Sequence, residues 1–425
     1  MAIRCNHNLP LVATTLLCAV PGSLWANGLR LVSQDALATA RGEAFVATAD
    51  NPSAIYYNPA GITQLSGLQS RSGIYGVYFN ATYEPPTGAP NAGKNYDLEN
   101  NLAVIPQFFS TYTPKDSPVA FGFGIYSPFG GRVGWPQDTS FRTVALEGSV
   151  TYIALNPVVA LKVGPKFSVG AGLLVNYAKM DLEQGLLRNQ KPFSNFFKFE
   201  GDGWSVGYNV GVLWQPSDKL SFGANFRSTS TLNAAGRTEF EQQPVIQPTE
   251  LEASAEYTFP LTVVLGVSYR PTPQWNLEFN ADYTDWSSFD STTIRQETAP
   301  PFPVQQNIEV KLGWQPSWLY EFGVTRYLQG GWQVSGGYVF SENSVPDTYY
   351  SPLTADLDRH VFSIGTGHQG KRFGFDVAYQ FAYGPPRTVA GSTPSSQPAQ
   401  FAGQSADGQY DFISHGLLVS ATMRY

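Results

Sequence analysis

From Trp204 to Gln215 the chain alternates between two sets of residues. Trp204, Val206, Tyr208, Val210, Val212 and Trp214 form an apolar set; Ser205, Gly207, Asn209, Gly211, Leu213 and Gln215 form a smaller, more polar one. In a β-strand these sets lie on opposite faces. The period recurs at Trp275–Tyr283, at Arg372–Phe381, at Glu256–Tyr269 and at the C-terminal Leu417, Val419, Ala421, Met423 and Tyr425. A soluble sandwich also alternates, with its apolar face inward. Two features favour lipid. Aromatic residues sit at strand ends, where a bilayer interface holds them. The strands also run roughly 10 to 20 residues, above the usual length of about 5 to 6 in globular sheets.

This reading predicts fourteen strands, at about 68–84, 102–113, 118–127, 143–163, 166–183, 201–215, 219–232, 253–270, 273–289, 307–328, 331–341, 359–368, 371–383 and 411–425. The connectors between them alternate. Short turns such as 164–165, 271–272 and 369–370 take turns with long segments such as 85–101, 184–200, 233–252 and 384–410. An even strand number, one end with short turns and the other with long loops describe an outer-membrane barrel. The expected fold is therefore all-β, a 14-stranded antiparallel transmembrane β-barrel spanning residues 67–425.

Two segments precede the barrel. Residues 1–26 carry Arg4, an apolar run from Leu9 to Val20, and Ser23-Leu24-Trp25-Ala26. That is the pattern of a secretory signal peptide, and its apolar run is too short to span a bilayer. Cleavage after Ala26 makes Asn27 the new N-terminus. Residues 27–66 do not alternate cleanly and are rich in glycine and alanine. They are too few for a separate core. A fourteen-stranded barrel encloses more space than its own side chains fill, so this segment is expected to plug the lumen as a hatch. The ordinary alternative is a loose periplasmic extension.

Composition narrows the chemistry. Aromatic and charged residues each make up 14% of the chain, and hydrophobic residues 42%, which argues against disorder. Both cysteines, Cys5 and Cys18, fall in the segment expected to be removed, so disulfides, cysteine zinc sites and thiol catalysis are excluded from the mature chain. The net charge of −7 argues against nucleic acid as a partner.

Several stretches resemble the FadL family of outer-membrane transporters of long-chain fatty acids and related hydrophobic compounds. They are Asn27-Gly28, Ala40-Arg41-Gly42-Glu43-Ala44, Asp50 and Asn58-Pro59-Ala60-Gly61, then Glu200–Trp204 with Gly207–Gly211, Tyr283–Ser287 with Phe289, and Asp356–His360 with Ser363–Gly365. Their order and spacing cover nearly all of the chain after residue 26. The resemblance implies a hatch-plugged fourteen-stranded barrel and a two-stage path. Ligand lands in an apolar groove between outer loops and moves to a tighter inner pocket. A shift of the hatch N-terminus then lets it leave sideways through a gap beside a kinked third strand. Passing an acyl chain into lipid gains about 0.8 kcal/mol per buried CH₂.

Candidate residues follow. The loop 184–200 holds Leu186, Leu187, Phe193, Phe196 and Phe197 among Arg188, Lys191 and Lys198. Outer loops are normally polar, so this cluster suits a landing groove with cations for a carboxylate; equally, the rings could pack together to hold the loop down. Phe129 and Trp135 are the expected facing wall. Glycine and proline break strands, so Gly124, Ser127, Pro128 and Gly130 mark the kink implied by the resemblance, or an ordinary strand end. A charged head in the lumen needs a fixed cation, and Lys179 and Lys311 lie where the resemblance suggests basic ligand-binding residues. Asn58, Pro59 and Ala60 read as a structural turn anchoring the hatch, while Gly28 gives the mobile end, Asn27 to Leu31, its freedom.

Other classes fit less well. A hydrolase needs a nucleophile, a base and an orienting group in contact. After residue 26 there are only His360, His368 and His415, too scattered for that or for a metal site. Neither enzyme activity nor a cofactor is expected. A general diffusion porin would have an open polar channel, which the plug-sized N-terminus argues against; an adhesin role is compatible with long loops. The expected partners are a long-chain fatty acid or other hydrophobic molecule, outer-membrane lipid and lipopolysaccharide, and the barrel-assembly machinery, with the chain as a monomer in the outer membrane of a Gram-negative bacterium.

Overall fold

A computed structural model of the chain describes residues 28–89, 91–186, 193, 195–242, 246–301, 304–393 and 404–425. The expected signal peptide, Asn27 and Leu187, with Arg188 and Lys191, lie outside the described residues. Fourteen antiparallel strands close into a barrel, as the alternation predicts. They are β1 (Gly67–Glu84), β2 (Leu102–Thr113), β3 (Val119–Tyr126 and Gly130–Gly134), β4 (Glu147–Lys162), β5 (Phe167–Gln184), β6 (Phe196–Ser217) and β7 (Leu220–Arg227 and Ser230–Gln242). The circuit continues with β8 (Ile246–Phe259 and Leu261–Tyr269), β9 (Trp275–Asp285 and Ser291–Gln296), β10 (Asn307–Lys311 and Ser317–Tyr327), β11 (Trp332–Ser341), β12 (Arg359–Gln369), β13 (Phe373–Val389) and β14 (Gly408–Arg424). Each strand pairs with the next, and β1 closes on β14 from Gln69 opposite Arg424 to Glu84 opposite Gln409. Closure gives backbone groups the partners that lipid cannot offer.

The side chains carry a membrane band and, above it, a raised wall. On β6 the outward residues from Trp204 to Trp214 are exposed and apolar. Ten residues tilted at 45° span roughly 24 Å, matching an apolar band of about 25 Å. Trp204 stacks beside Tyr177 of β5, with ring centroids 5.3 Å apart. Beyond that pair the same positions face out, but their polarity reverses. Lys198, Glu200 and Asp202 point outward while Phe197 and Phe199 turn in. On β7, Leu232, Ala234, Thr238 and Phe240 are buried inside while Arg237 and Glu239 lie outside.

This reversal corrects one expectation. Residues 233–252 do not form a long loop: β7 runs to Gln242 and β8 starts at Ile246, pairing from Ser230 opposite Phe259. A search for apolar-outward alternation passes over strands whose outer face is charged. β9 likewise resumes at Ser291–Gln296, in a stretch expected to be loop.

The N-terminal segment lies within the barrel. It contains two short helices, α1 (Ala36–Ala40) and α2 (Ala54–Tyr57), and a 3-10 turn at Pro59–Gln64. Asp35 caps α1 by accepting from the backbone N–H groups of Leu37 and Ala38. Inward glycines let this segment press directly on the wall. A Cβ at Gly337 would sit 2.0 Å from the backbone nitrogen of Gly42, and one at Gly223 2.1 Å from the carbonyl oxygen of Val46.

Candidate functional site

The hatch is seated by buried charges in matched pairs. Arg30 donates two hydrogen bonds to the Asp282 carboxylate of β9 (2.6 and 2.7 Å) and a third to Thr284 (2.7 Å). Arg41 pairs with Glu278 at 2.9 Å. Arg71 of β1 holds Asp35 and, at 2.9 Å, Asp376 of β13. Removing one member of such a pair strands a buried charge, which costs about 3–5 kcal/mol. Glu43 accepts from Ser33 and from Tyr57, each at 2.8 Å, and burial pushes its carboxyl up to about 7. Asn58 accepts from Ala60 N–H (3.2 Å), and its Nδ2 donates to the carbonyls of Val46 (2.8 Å) and of Val212 on β6 (2.9 Å). Pro59 opens the 3-10 turn. A Cβ at Gly211 would collide with Asn58 and Pro59, and one at Gly170 with Pro59 and Ala60.

β3 is interrupted beside this hatch. Its pairing with β2 runs from Phe108 opposite Ile125 to Tyr112 opposite Phe121. Residues Leu102–Gln107 of β2 therefore pair with β1 but not with β3 among the described residues. At Ser127–Phe129 the chain turns to the hatch instead. Gln34 Nε2 donates to the Ser127 carbonyl (2.8 Å). Leu31 N–H donates to the Pro128 carbonyl (2.8 Å) and Gly130 N–H to the Leu29 carbonyl (3.0 Å), so Arg30 and Phe129 form one antiparallel bridge. Above the opening, Glu99 N–H donates to the Gly134 carbonyl at 2.9 Å. The hatch thus supplies the strand partner that β2 withholds. Gly124 is not part of this break. It sits in the regular half of β3, opposite Phe109, where a Cβ would meet Ile55 of the hatch at 3.0 Å.

Above the hatch, the raised wall bounds a partly open cleft with a free volume of about 120 Å³. Its lining is mainly apolar and aromatic: Val150, Met180, Leu182 and Phe197 on one side, and Tyr257, Phe289, Ile294, Ile308, Trp314 and Leu353 on the other, with Leu29 of the hatch. Concave, mostly apolar spaces with a few polar groups are the usual form of a small-molecule site. Gly28, with φ +68°, lies against the aromatic floor; a Cβ there would come within 2.5 Å of Trp314 and 2.7 Å of Trp286. Its glycine serves a left-handed backbone and a close approach, rather than the loose end expected from sequence.

The candidate residues divide. Phe197 and Lys311 line the cleft, Lys311 exposed at the end of the outer segment of β10. Lys179 does not; it shares the outer face of β5 with Tyr177 and binds Glu200 at 2.7 Å. The lumenal binding role implied by the resemblance does not hold for it, since the two-residue period puts it on the outside with Tyr177. Phe196 lies on β6 opposite Glu241. Leu186 is buried but is not among the cleft residues. Phe193 lies 5.3 Å from the Arg142 guanidinium, which also donates to the Asn195 carbonyl (2.8 Å) and side chain (3.1 Å). That places Phe193 in a clamp holding its loop, as the alternative reading had it; burial lowers Arg142 to about 10.

Phe129 is buried below the cleft against Tyr152, Phe259 and Trp286, at 5.2, 5.0 and 6.0 Å. Trp135 belongs elsewhere, in a small core beneath the loops with Tyr83, Phe141 and Tyr410, its Nε1 donating to the Pro352 carbonyl at 3.0 Å. It is therefore not a wall of the cleft. Sequence reasoning missed Tyr257, Ile294, Ile308, Trp314 and Leu353. The first four sit on or beside raised-wall strands, where apolar alternation points inward and looks the same as a lipid-facing pattern.

Comparison with known proteins agrees with this architecture. Residues 17–425 match the family described as outer membrane protein transport protein (OMPP1/FadL/TodX). The long-chain fatty acid transport protein of Escherichia coli O6:H1 is 22% identical over 406 residues, covering 87% of each chain. The crystal structure of a Pseudomonas aeruginosa FadL homologue superposes with a TM-score of 0.81 at 18% identity, covering 93% of this chain and 99% of that one. The Ralstonia pickettii toluene transporter TbuX superposes at 0.68 with 15% identity, covering 92% and 98%.

Proposed function

The chain belongs to the OMPP1/FadL/TodX family of outer-membrane transport proteins, and from that premise we propose that it takes up long-chain fatty acids or similar hydrophobic molecules and releases them sideways into the membrane. Cargo enters the cleft of the raised wall, where apolar side chains replace water along its length. Leu29 forms part of that cleft, and the same three residues, Leu29 to Leu31, bridge the break in β3. Cargo that displaces Leu29 therefore strains the bridge at Phe129. Once the bridge opens, Leu102–Gln107 of β2 and the broken part of β3 lose the segment between them, and lipid lies beyond. The alternative axial path runs through paired charges and through glycines pressed on backbone, which an acyl chain cannot solvate.

The observation that carries this reading is the shared use of Leu29–Leu31 by cleft and strand break. A second reading, transport of aromatic hydrocarbons, draws on the aromatic wall of Tyr257, Phe289 and Trp314 and on the structural likeness to TbuX. Uptake of radiolabelled oleate and of toluene into cells expressing the chain, in a strain lacking its own transporters of this family, tests both. Accumulation of oleate supports the first reading, and of toluene alone the second; neither accumulating refutes uptake.

A further inference from the structure

Buried donors normally find a partner, and the two tryptophans Trp135 and Trp314 differ in this. Trp135, in the loop core, donates its Nε1–H to a carbonyl at 3.0 Å. Trp314 is 3% exposed and lines the cleft, yet its Nε1 has no hydrogen-bond partner. Tyr257, on the same lining and also 3% exposed, has a hydroxyl without a well-formed hydrogen bond, its polar neighbour being Thr292. Both rings pack on Phe289, Trp314 at 4.8 Å and Tyr257 at 6.1 Å between centroids. The cleft thus offers two donors from one aromatic wall, with the cation of Lys311 on its lining. Glu183 is the one carboxylate among its described lining residues, and it lies on β5, the opposite side.

We propose that Trp314 and Tyr257 read the head of the cargo, selecting an apolar molecule that ends in a hydrogen-bond-accepting oxygen over a hydrocarbon of the same length. This rests on the transport reading of the cleft. An indole N–H can only donate, so it is satisfied by a carboxylate or carbonyl oxygen and by nothing on an alkane. A hydrocarbon filling the cleft excludes water and leaves both donors unpaired, whereas an oxygen-bearing head completes them. Sites built to hydrogen-bond a substrate group reject analogues lacking it more strongly than apolar pockets reject a missing methylene.

The test removes both donors by combining Tyr257→Phe, which keeps its ring, with Trp314→Phe, whose smaller ring is controlled for by hexadecane binding. Equilibrium binding of radiolabelled palmitate and radiolabelled hexadecane is measured on the purified full chain in detergent, with heat-resistant migration on a gel confirming a closed barrel. The wild-type chain is expected to bind palmitate more tightly than hexadecane. The double variant should weaken palmitate on the order of tenfold or more and leave hexadecane unchanged or tighter. Equal palmitate affinity in wild type and variant overturns the inference. Equal wild-type affinity for the two probes also overturns it while leaving the cleft as the binding site. Binding of neither probe removes the cleft reading and this inference together.

Discussion

The seat of the hatch and the cleft above it share one lumen and use opposite means of filling it. Around the hatch every ionic contact is directional. Arg30 meets Asp282 and Arg41 meets Glu278, and glycines such as Gly223 and Gly337 bring backbone against backbone. Such a surface accepts one occupant, the chain's own N-terminal segment. The cleft is closed by Val150, Phe197, Ile294 and Leu353, whose attraction is non-directional. It can accept guests of varied shape. In the proposed path, the paired charges hold the hatch and the apolar concavity takes the cargo; residues 29–31 touch both.

The difference can be broken from either side. The largest expected effect is from Asp282→Ala, which leaves Arg30 buried and unpaired, at a cost of about 3–5 kcal/mol. Hydrogen exchange should show residues 28–34 losing protection while the barrel strands keep theirs; unchanged protection would mean that the pair does not hold the hatch.

Filling glycines should separate the regions next. Gly337→Val drives side-chain atoms into the Gly42 backbone, which cannot yield, whereas Gly148→Ala meets only the Leu353 side chain at 3.1 Å. Overpacking of this kind costs about 1–3 kcal/mol or more. Gly337→Val should therefore reduce the yield of heat-resistant barrel, and Gly148→Ala should leave it intact while changing palmitate affinity. Equal yields from both would contradict a rigid seat.

Acidity should act on the hatch. Glu43 has its carboxyl raised to about 7 by burial, above the ordinary 4.3 of the unfolded chain. The folded state then binds more protons between those values, so hatch stability is highest below about 4 and declines as pH rises toward 7. Exchange protection of residues 33–57, corrected for intrinsic rates, should fall from pH 5 to pH 8 in the wild type and stay level in Glu43→Gln.

The smallest effect is expected from Lys179→Met. Its surface pairing with Glu200 contributes at most about 1 kcal/mol, and palmitate binding should not change. Lys311→Met, on the cleft lining, should weaken palmitate binding; the reverse ranking would move the cargo to the outer face.

The barrel was legible because lipid imposes one rule on every crossing strand, and Trp204 to Trp214 obeys it without interruption. Above Trp204 water replaces lipid, the outer face becomes Lys198, Glu200 and Asp202, and the rule inverts. Strand residues 233–242 were hidden for that reason. The facing of Lys179 could have been counted from Tyr177, two residues away, and that count places it outside. The break at Ser127-Pro128 was visible as chain chemistry. Its partner was not, because a bridge between Arg30 and Phe129 depends on how the hatch docks. The roles of Trp135 and Trp314 were likewise beyond any local pattern: one indole meets a carbonyl 217 residues away, and the other faces a space formed by several strands.

Lateral release requires the bridge between Arg30 and Phe129 to open. Both cysteines of the chain precede Gly28, so Leu31→Cys with Pro128→Cys, beside the bridge and sparing the Arg30–Asp282 pair, can be locked by oxidation with no other thiol from Gly28 onward. Labelled-oleate uptake is then compared before and after reductant. Locked barrels are expected to bind palmitate yet transport no oleate, with transport returning on reduction. Oleate uptake at the reduced rate while the disulfide remains intact would contradict lateral release at this break.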